Sequence, residues 1–290
     1  MKVAKQRTLK LLALAALAGG SALASAQVYE YDAFRTQYFT QTSDSAPTTP
    51  DSYQFFARIF LTNQADASAG TLTDPNNNSY SMPQYLLDPI LNTYYLFYGD
   101  SSATSQAQED ANYPSGTYTY TLNGGTNGYD GNQATLSMGP DDFSTTVPYL
   151  TGGTYSGLQG MDPTKSVSLS WNDFVDTLGA STHQTFLVVY DLTTGGNLVY
   201  NNNGASSSYT GDTIAAGTFQ GGNQYEYTLY FSSRFYQGSG ITDPTNAFYG
   251  TTWLSSSDLG TSGMFTPAPE PMTMAGLAIG ALALVRRRRR

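Results

Sequence analysis

The sequence predicts an all-β protein: two antiparallel β-sandwich domains, with a short apolar helix at each end of the chain. Three observations carry that expectation. Short runs in which Tyr, Phe, Val and Leu alternate with Thr and other polar residues recur along the chain, clusters of Gly, Asn, Asp, Ser and Pro separate them, and helical periodicity is almost absent between the ends.

The chain opens with Lys2, Lys5, Arg7 and Lys10, then an apolar stretch Leu11 to Ala18, then Ala24-Ser25-Ala26. Basic residues, a short apolar region and a small-residue site in that order predict a secretory signal peptide over residues 1–26, with signal peptidase cutting between Ala26 and Gln27 (Ala24 and Ala26 forming the site). The run is well short of the roughly 20 residues a membrane span needs. The chain has no cysteine, so an exported form is held together by burial and not by disulfides.

Residues 27–147 are expected to form the first sandwich. Tyr53 to Thr62 and Thr93 to Gly99 are aromatic-rich runs bounded by turn residues. In Gly116 to Gly125, Tyr118, Tyr120 and Leu122 alternate with threonines and run into Asn-Gly-Gly, a half-buried strand entering a turn.

Residues 148–250 are expected to form the second sandwich. Val167, Leu169 and Trp171 alternate and place the indole on the buried face. The run TFLVVYDLTTGGNLVY reads as a hairpin, because glycine tolerates the positive φ of a tight turn. Ile214 and Phe219 then flank a turn before Tyr225, Tyr227, Leu229 and Phe231, which share one strand face. This stretch resembles a fibronectin type III or related immunoglobulin-like sandwich. The resemblance implies that Trp171 is the early-strand core tryptophan and that Tyr225 is a corner tyrosine whose hydroxyl bonds back to upstream backbone. Residues 251–268, rich in Ser, Gly and Thr, read as a linker that closes the second sandwich with some last strand.

The chain ends in Pro269-Glu270-Pro271, an apolar run Met272 to Val285, and Arg286, Arg287, Arg288, Arg289 and Arg290. The prolines present Glu270 in extended, accessible backbone. The apolar run is short for a permanent span, and five arginines beyond it stay cytoplasmic, which leaves everything before Pro269 outside. Residues 269–290 resemble the PEP-CTERM sorting signal of Gram-negative bacteria. That resemblance implies recognition and cleavage near the motif by an exosortase-type membrane peptidase, delivery to the cell surface or matrix, and association with extracellular polysaccharide. A permanently anchored type I protein, which keeps its tail, is the alternative.

Charge narrows the partners. Between the two terminal signals only Arg35, Arg58, Lys165 and Arg234 are basic, so residues 27–268 hold 21 acids against four bases, a formal charge of about −17. Nucleic acid is not expected as a partner on that balance, and anionic membrane is a poor one. No enzyme is expected: His183 is the single histidine, there is no cysteine, and no serine sits in a nucleophile-elbow pattern. Zinc lacks ligands, whereas loop carboxylates make calcium at Asp130, Asp141 and Asp142 the one metal option. The abundance of Tyr, 23 in all, supports a carbohydrate-binding alternative, since tyrosines stack on sugar faces.

Overall fold

A computed structural model describes residues 28–88, 93–139, 142–202, 204–206, 208–243 and 245–269, so residues 1–26, expected to be a signal peptide, and Gln27, Glu270, Pro271, the apolar run and the terminal arginines lie outside the described residues. The described chain is mostly β. In order it forms β1 (Val28–Thr40), β2 (Ser52–Leu61), β3 (Ala69–Thr73), β4 (Ser79–Asp88), β5 (Thr93–Ala103), α1 (Gln106–Asn112), β6 (Gly116–Asn123) and β7 (Gln133–Met138). The second half adds α2 (Thr154–Leu158), β8 (Val167–Ser170), β9 (Thr182–Asp191), β10 (Asn197–Asn201), β11 (Ala205–Ser206), β12 (Gly211–Ile214), β13 (Tyr225–Gly238) and β14 (Thr252–Phe265).

One hydrogen-bonded path joins both halves, in the order β10-β9-β13-β14-β1-β2-β5-β4-β3-β6-β7, with β8 and β12 forming a separate pair. The link is β14, which pairs antiparallel with β13 and parallel with β1 over Glu30 to Thr40. This corrects two expectations. Residues 251–268 are not a linker, because fourteen of them form a central strand, and the halves are not closed as independent sandwiches at residue 147.

The physical reason lies in side-chain size. β14 reads TWLSSSDLGTSGMF, and its small residues fit between two strands loaded with aromatics. A Cβ on Gly260 would come within 2.9 Å of the Tyr230 ring and 3.0 Å of the Tyr38 ring, and one on Gly263 within 2.6 Å of the Tyr227 hydroxyl. A serine- and glycine-rich stretch that reads as a flexible spacer is here the slot that bulky neighbours require.

The inner face of the long sheet buries two cores. On one side β1, β2 and β5 pack against β3, β6 and β7, with β4 passing between the layers: Ser79 to Pro83 pair with β3, and Gln84 to Asp88 with β5. Phe55 stacks on Tyr113 at 4.3 Å and on Tyr118 at 5.5 Å there. Trp253 and Phe248 join this first core from the far end of the sequence, which is why β13 and β14 run to 14 residues each. On the other side β9, β13 and β14 pack against β8, β12 and Leu150. Trp171 is buried there and its Nε1 donates to the Tyr209 carbonyl at 2.7 Å. The Tyr225 hydroxyl accepts from the Gln220 backbone N–H at 2.7 Å, pinning the turn between β12 and β13.

Gln41 fastens the halves a second time. Its amide donates to the Leu150 carbonyl and accepts from the Leu150 N–H, both at 2.9 Å, and its oxygen also accepts from the Tyr227 hydroxyl at 2.7 Å.

Candidate functional site

A strand buried on one side only alternates large apolar with polar residues. β2 does not: Tyr53, Phe55, Ala57, Ile59 and Leu61 face the inner core, while Phe56, Arg58 and Phe60 point the other way and are equally withdrawn from solvent. The register carries that second face across six strands, β5, β2, β1, β14, β13 and β9, in rows. One row runs Phe97, Arg58, Asp32, Leu254, Tyr236; the next Gly99, Phe56, Phe34, Ser256, Arg234; the third crosses Thr36, Asp258 and Ser232; the fourth crosses Tyr38, Gly260, Tyr230 and Phe186.

Aromatics occupy the two flanks of this outer face. Phe34, Phe56, Phe60, Tyr95 and Phe97 cluster at one end, and Phe186, Val188, Tyr190 and Tyr230 at the other, where the Tyr38 and Tyr230 hydroxyls share a 2.6 Å hydrogen bond. Between them runs a charged band. Arg58 Nε donates to Asp32 Oδ1 at 2.9 Å and Oδ2 at 3.0 Å, and its guanidinium lies 4.8 Å from the Phe34 ring centroid and 4.9 Å from that of Phe60. Arg234 sits 4.6 Å over Phe186 and donates to Ser232 Oγ, which donates to Asp258 at 2.7 Å. Cations over ring faces in a desolvated setting are the stronger form of that contact. Burial, with Asp32 nearby, pushes the Glu30 carboxyl up to about 7, and burial pushes Asp258 up to about 6.

Three of the four bases of the body, Arg35, Arg58 and Arg234, are therefore inside the fold, and Lys165 is the exposed one. The surface is almost purely acidic, beyond what the sequence count states. Arg35 lies on the inner face, with Nε 3.1 Å from Glu109 of α1 and a guanidinium N–H on the Tyr113 carbonyl. Burial pushes Glu109 up to about 8 against the pull of Arg35. A cavity of about 60 Å³ beside Arg35, lined also by Met138, Leu178, Phe235, Ser255 and Ser257, has room for roughly two waters and not for an organic ligand.

Of the residues singled out from sequence, Pro269 is described and exposed, one residue after the last backbone anchor, Ala268 N–H to the Met161 carbonyl at 2.9 Å. Asp130 is exposed at the tip of the β6–β7 hairpin, where it accepts from the Gly124 N–H at 2.6 Å, and Asp142 follows the opposite end of β7; Asp141 lies outside the described residues. The structure thus does not bring Asp130 and Asp142 together. No group of three or more His, Cys, Asp or Glu able to hold a metal occurs among the described residues.

His183 lies in β9, with Nδ1 3.6 Å from Asp176 Oδ2, while the other Asp176 oxygen accepts from Ser233 Oγ at 2.5 Å. Serine and histidine both address the aspartate and not each other, so Ser233 and His183 do not form a serine–histidine nucleophile pair. Among the described residues no helix is long and apolar enough to cross a membrane.

Sequence reasoning missed Glu30, Asp32, Arg58, Asp258 and Arg234. The signal was present in the two-sided strands ARIFL and SSRFY, where both alternate sets are bulky.

No family model and no curated protein matches the sequence. Solved structures similar to it include a two-domain fibronectin type III segment from chicken tenascin, at 12% identity over 77% of this chain and 98% of that one, TM-score 0.25. The BSP domain of a biofilm-associated protein aligns at 13% identity over 85% of this chain but 30% of that one, TM-score 0.20. The human OSCAR ligand-binding domain aligns at 10% identity over 79% and 97%, TM-score 0.19. TM-scores this far below 0.5 assign no strand arrangement.

Proposed function

We propose that this chain is an exported, non-enzymatic β-protein with a structural or adhesive role at the cell surface or in the extracellular matrix. It is made with a signal peptide and sorted through its tail by an exosortase-type peptidase. The observation that carries the reading is the tail: Pro269-Glu270-Pro271, the short apolar run and the terminal Arg286 to Arg290. The exposed position of Pro269 immediately after the last anchored residue of the fold supports it, because a membrane peptidase can reach the motif without unfolding the body. The fibronectin type III character of the second half is part of the same reading, supported by Trp171 and by the Tyr225 hydroxyl bond to upstream backbone.

A carbohydrate-contacting role is the second reading, favoured by four partly exposed tyrosines, Tyr85, Tyr209, Tyr236 and Tyr249. The sorting proposal is tested in the native host by replacing Glu270 with Ala and, separately, deleting Arg286 to Arg290. Loss of the protein from the surface and matrix fractions with accumulation of the full-length chain in the membrane is expected. Unchanged surface delivery of both variants contradicts it.

A further inference from the structure

Along the side of the second core the edge strand β10 of the long sheet meets β12 of the separate pair: the Tyr200 hydroxyl on β10 donates to Asp212 Oδ2 on β12. Tyr209, in the segment between β11 and β12, stands beside this contact and is 44% exposed. Its ring lies against that of the buried Trp171, 6.1 Å between centroids. Its backbone is held as well. The Tyr209 carbonyl accepts from Trp171 Nε1 at 2.7 Å, its N–H donates to the Ser206 carbonyl at 2.9 Å, and the next carbonyl, of Thr210, accepts from the Trp171 N–H at 2.9 Å. An exposed aromatic ring is thus fixed before any ligand arrives, which removes most of the ordering cost of binding. Burial, then Asp212, then the nearby Tyr209 push the Tyr200 phenol above its ordinary value, so it stays protonated beside the carboxylate.

We infer that Tyr209, Asp212 and Tyr200 form a subsite for one pyranose ring of an uncharged polysaccharide. The inference rests on the carbohydrate-contacting reading given above and names the place where that contact is made.

A pyranose presents a face of C–H bonds and a rim of hydroxyls. The C–H face packs on the Tyr209 ring, an amphipathic surface with a polar tip. Asp212 supplies acceptors for the rim. Its Oδ1 accepts from the Thr213 N–H at 2.7 Å and its Oδ2 from Tyr200, and a carboxylate has about four lone-pair sites, so roughly two remain for sugar hydroxyls. Hydroxyl bonds to an ionised carboxylate are the strong kind. Charge selects the ligand class: residues 27–268 are strongly acidic, and Lys165, the exposed lysine of that span, sits 3.5 Å from Asp162. A uronate ring would meet repulsion at Asp212, whereas an uncharged ring does not. Two other partly exposed tyrosines are engaged within the sheet: the Tyr85 ring lies 5.6 Å from Tyr95 and 6.2 Å from Phe97, and the Tyr236 hydroxyl accepts from Arg234 at 3.3 Å.

The test is calorimetric titration of cellohexaose, an N-acetylglucosamine hexamer and a glucuronic acid hexamer into the protein secreted from its complete gene. Tyr209→Ala, Asp212→Asn and, away from the subsite, Tyr85→Ala are titrated alongside, with circular dichroism and thermal melts checking each fold. At least one uncharged hexamer is expected to bind, with affinity lowered at least roughly tenfold by Asp212→Asn and by Tyr209→Ala and unchanged by Tyr85→Ala. Binding that survives both Tyr209→Ala and Asp212→Asn overturns the subsite and leaves the carbohydrate reading standing. Failure of the unaltered protein to bind any of the three hexamers overturns both. Preference for the glucuronic acid hexamer overturns the assignment to an uncharged chain.

Discussion

Arg58 and Asp32 face each other across β2 and β1, with both Nε–Oδ distances at 2.9 to 3.0 Å and neither side chain in contact with bulk water. Removing one member strands the other. Arg58→Ala and Asp32→Ala are each expected to cost about 3–5 kcal/mol in urea unfolding, whereas Arg58→Met combined with Asp32→Leu recovers most of that loss. Equal stability of the double and single variants contradicts a buried, mutually dependent pair.

Gly260 is expected to tolerate no side chain. An added Cβ meets Tyr230 and Tyr38 at 2.9 to 3.1 Å, so Gly260→Ala should cost about 1–3 kcal/mol, while Gly238→Ala, with nothing within 4 Å, should stay within about 0.5 kcal/mol. Thermal melts of the two variants side by side check the difference.

Stability should fall as pH rises from about 4 to 8. Burial holds Asp258 at about 6, Glu30 at about 7 and Glu109 at about 8, above their ordinary 3.8 to 4.5. Over that window the folded state binds more protons than the unfolded one, so the slope of unfolding free energy against pH is negative. The stability that protonation confers is complete below about 4 and is lost as each folded-state value is passed. A fall of several kcal/mol between pH 5 and pH 8 is expected from denaturant titrations, and Glu109→Gln should flatten the curve above pH 7. A stability maximum at pH 8 in the unaltered protein contradicts the burial of these carboxyls.

The parallel β1–β14 pair should make the two halves one cooperative unit. Removing residues 252–268 takes away the strand that both halves share, and the remaining chain is expected to lose cooperative unfolding altogether, not only in its second half. Calorimetry that shows the first half melting unchanged in the truncated chain contradicts this.

Much of the fold was legible because period-two alternation is strong where one face is buried: Tyr118, Tyr120 and Leu122, or Tyr225, Tyr227, Leu229 and Phe231, all reach a core. What the sequence concealed follows from two local facts. β14 is poor in large residues because Tyr38, Tyr227 and Tyr230 occupy its space, and that makes a central strand resemble a linker. Its partner β1 carries Glu30, Asp32 and Arg35 among its aromatics, so charge disguises a strand buried on both faces. The outer face depends on pairing between residues some 220 positions apart, Asp32 with Leu254 and Thr36 with Asp258, which no local pattern encodes. Asp130 and Asp142, near in sequence, stand at opposite ends of the intervening strand β7.

The most direct test of the account is intact mass with terminal peptide mapping of the protein recovered from the membrane, surface, matrix and medium of its native host. The account predicts a chain that begins at Gln27, ends at or near Pro269 to Pro271, and is found at the surface or beyond. A chain that still ends in Arg290 and stays in the membrane fraction contradicts processing and leaves an anchored protein.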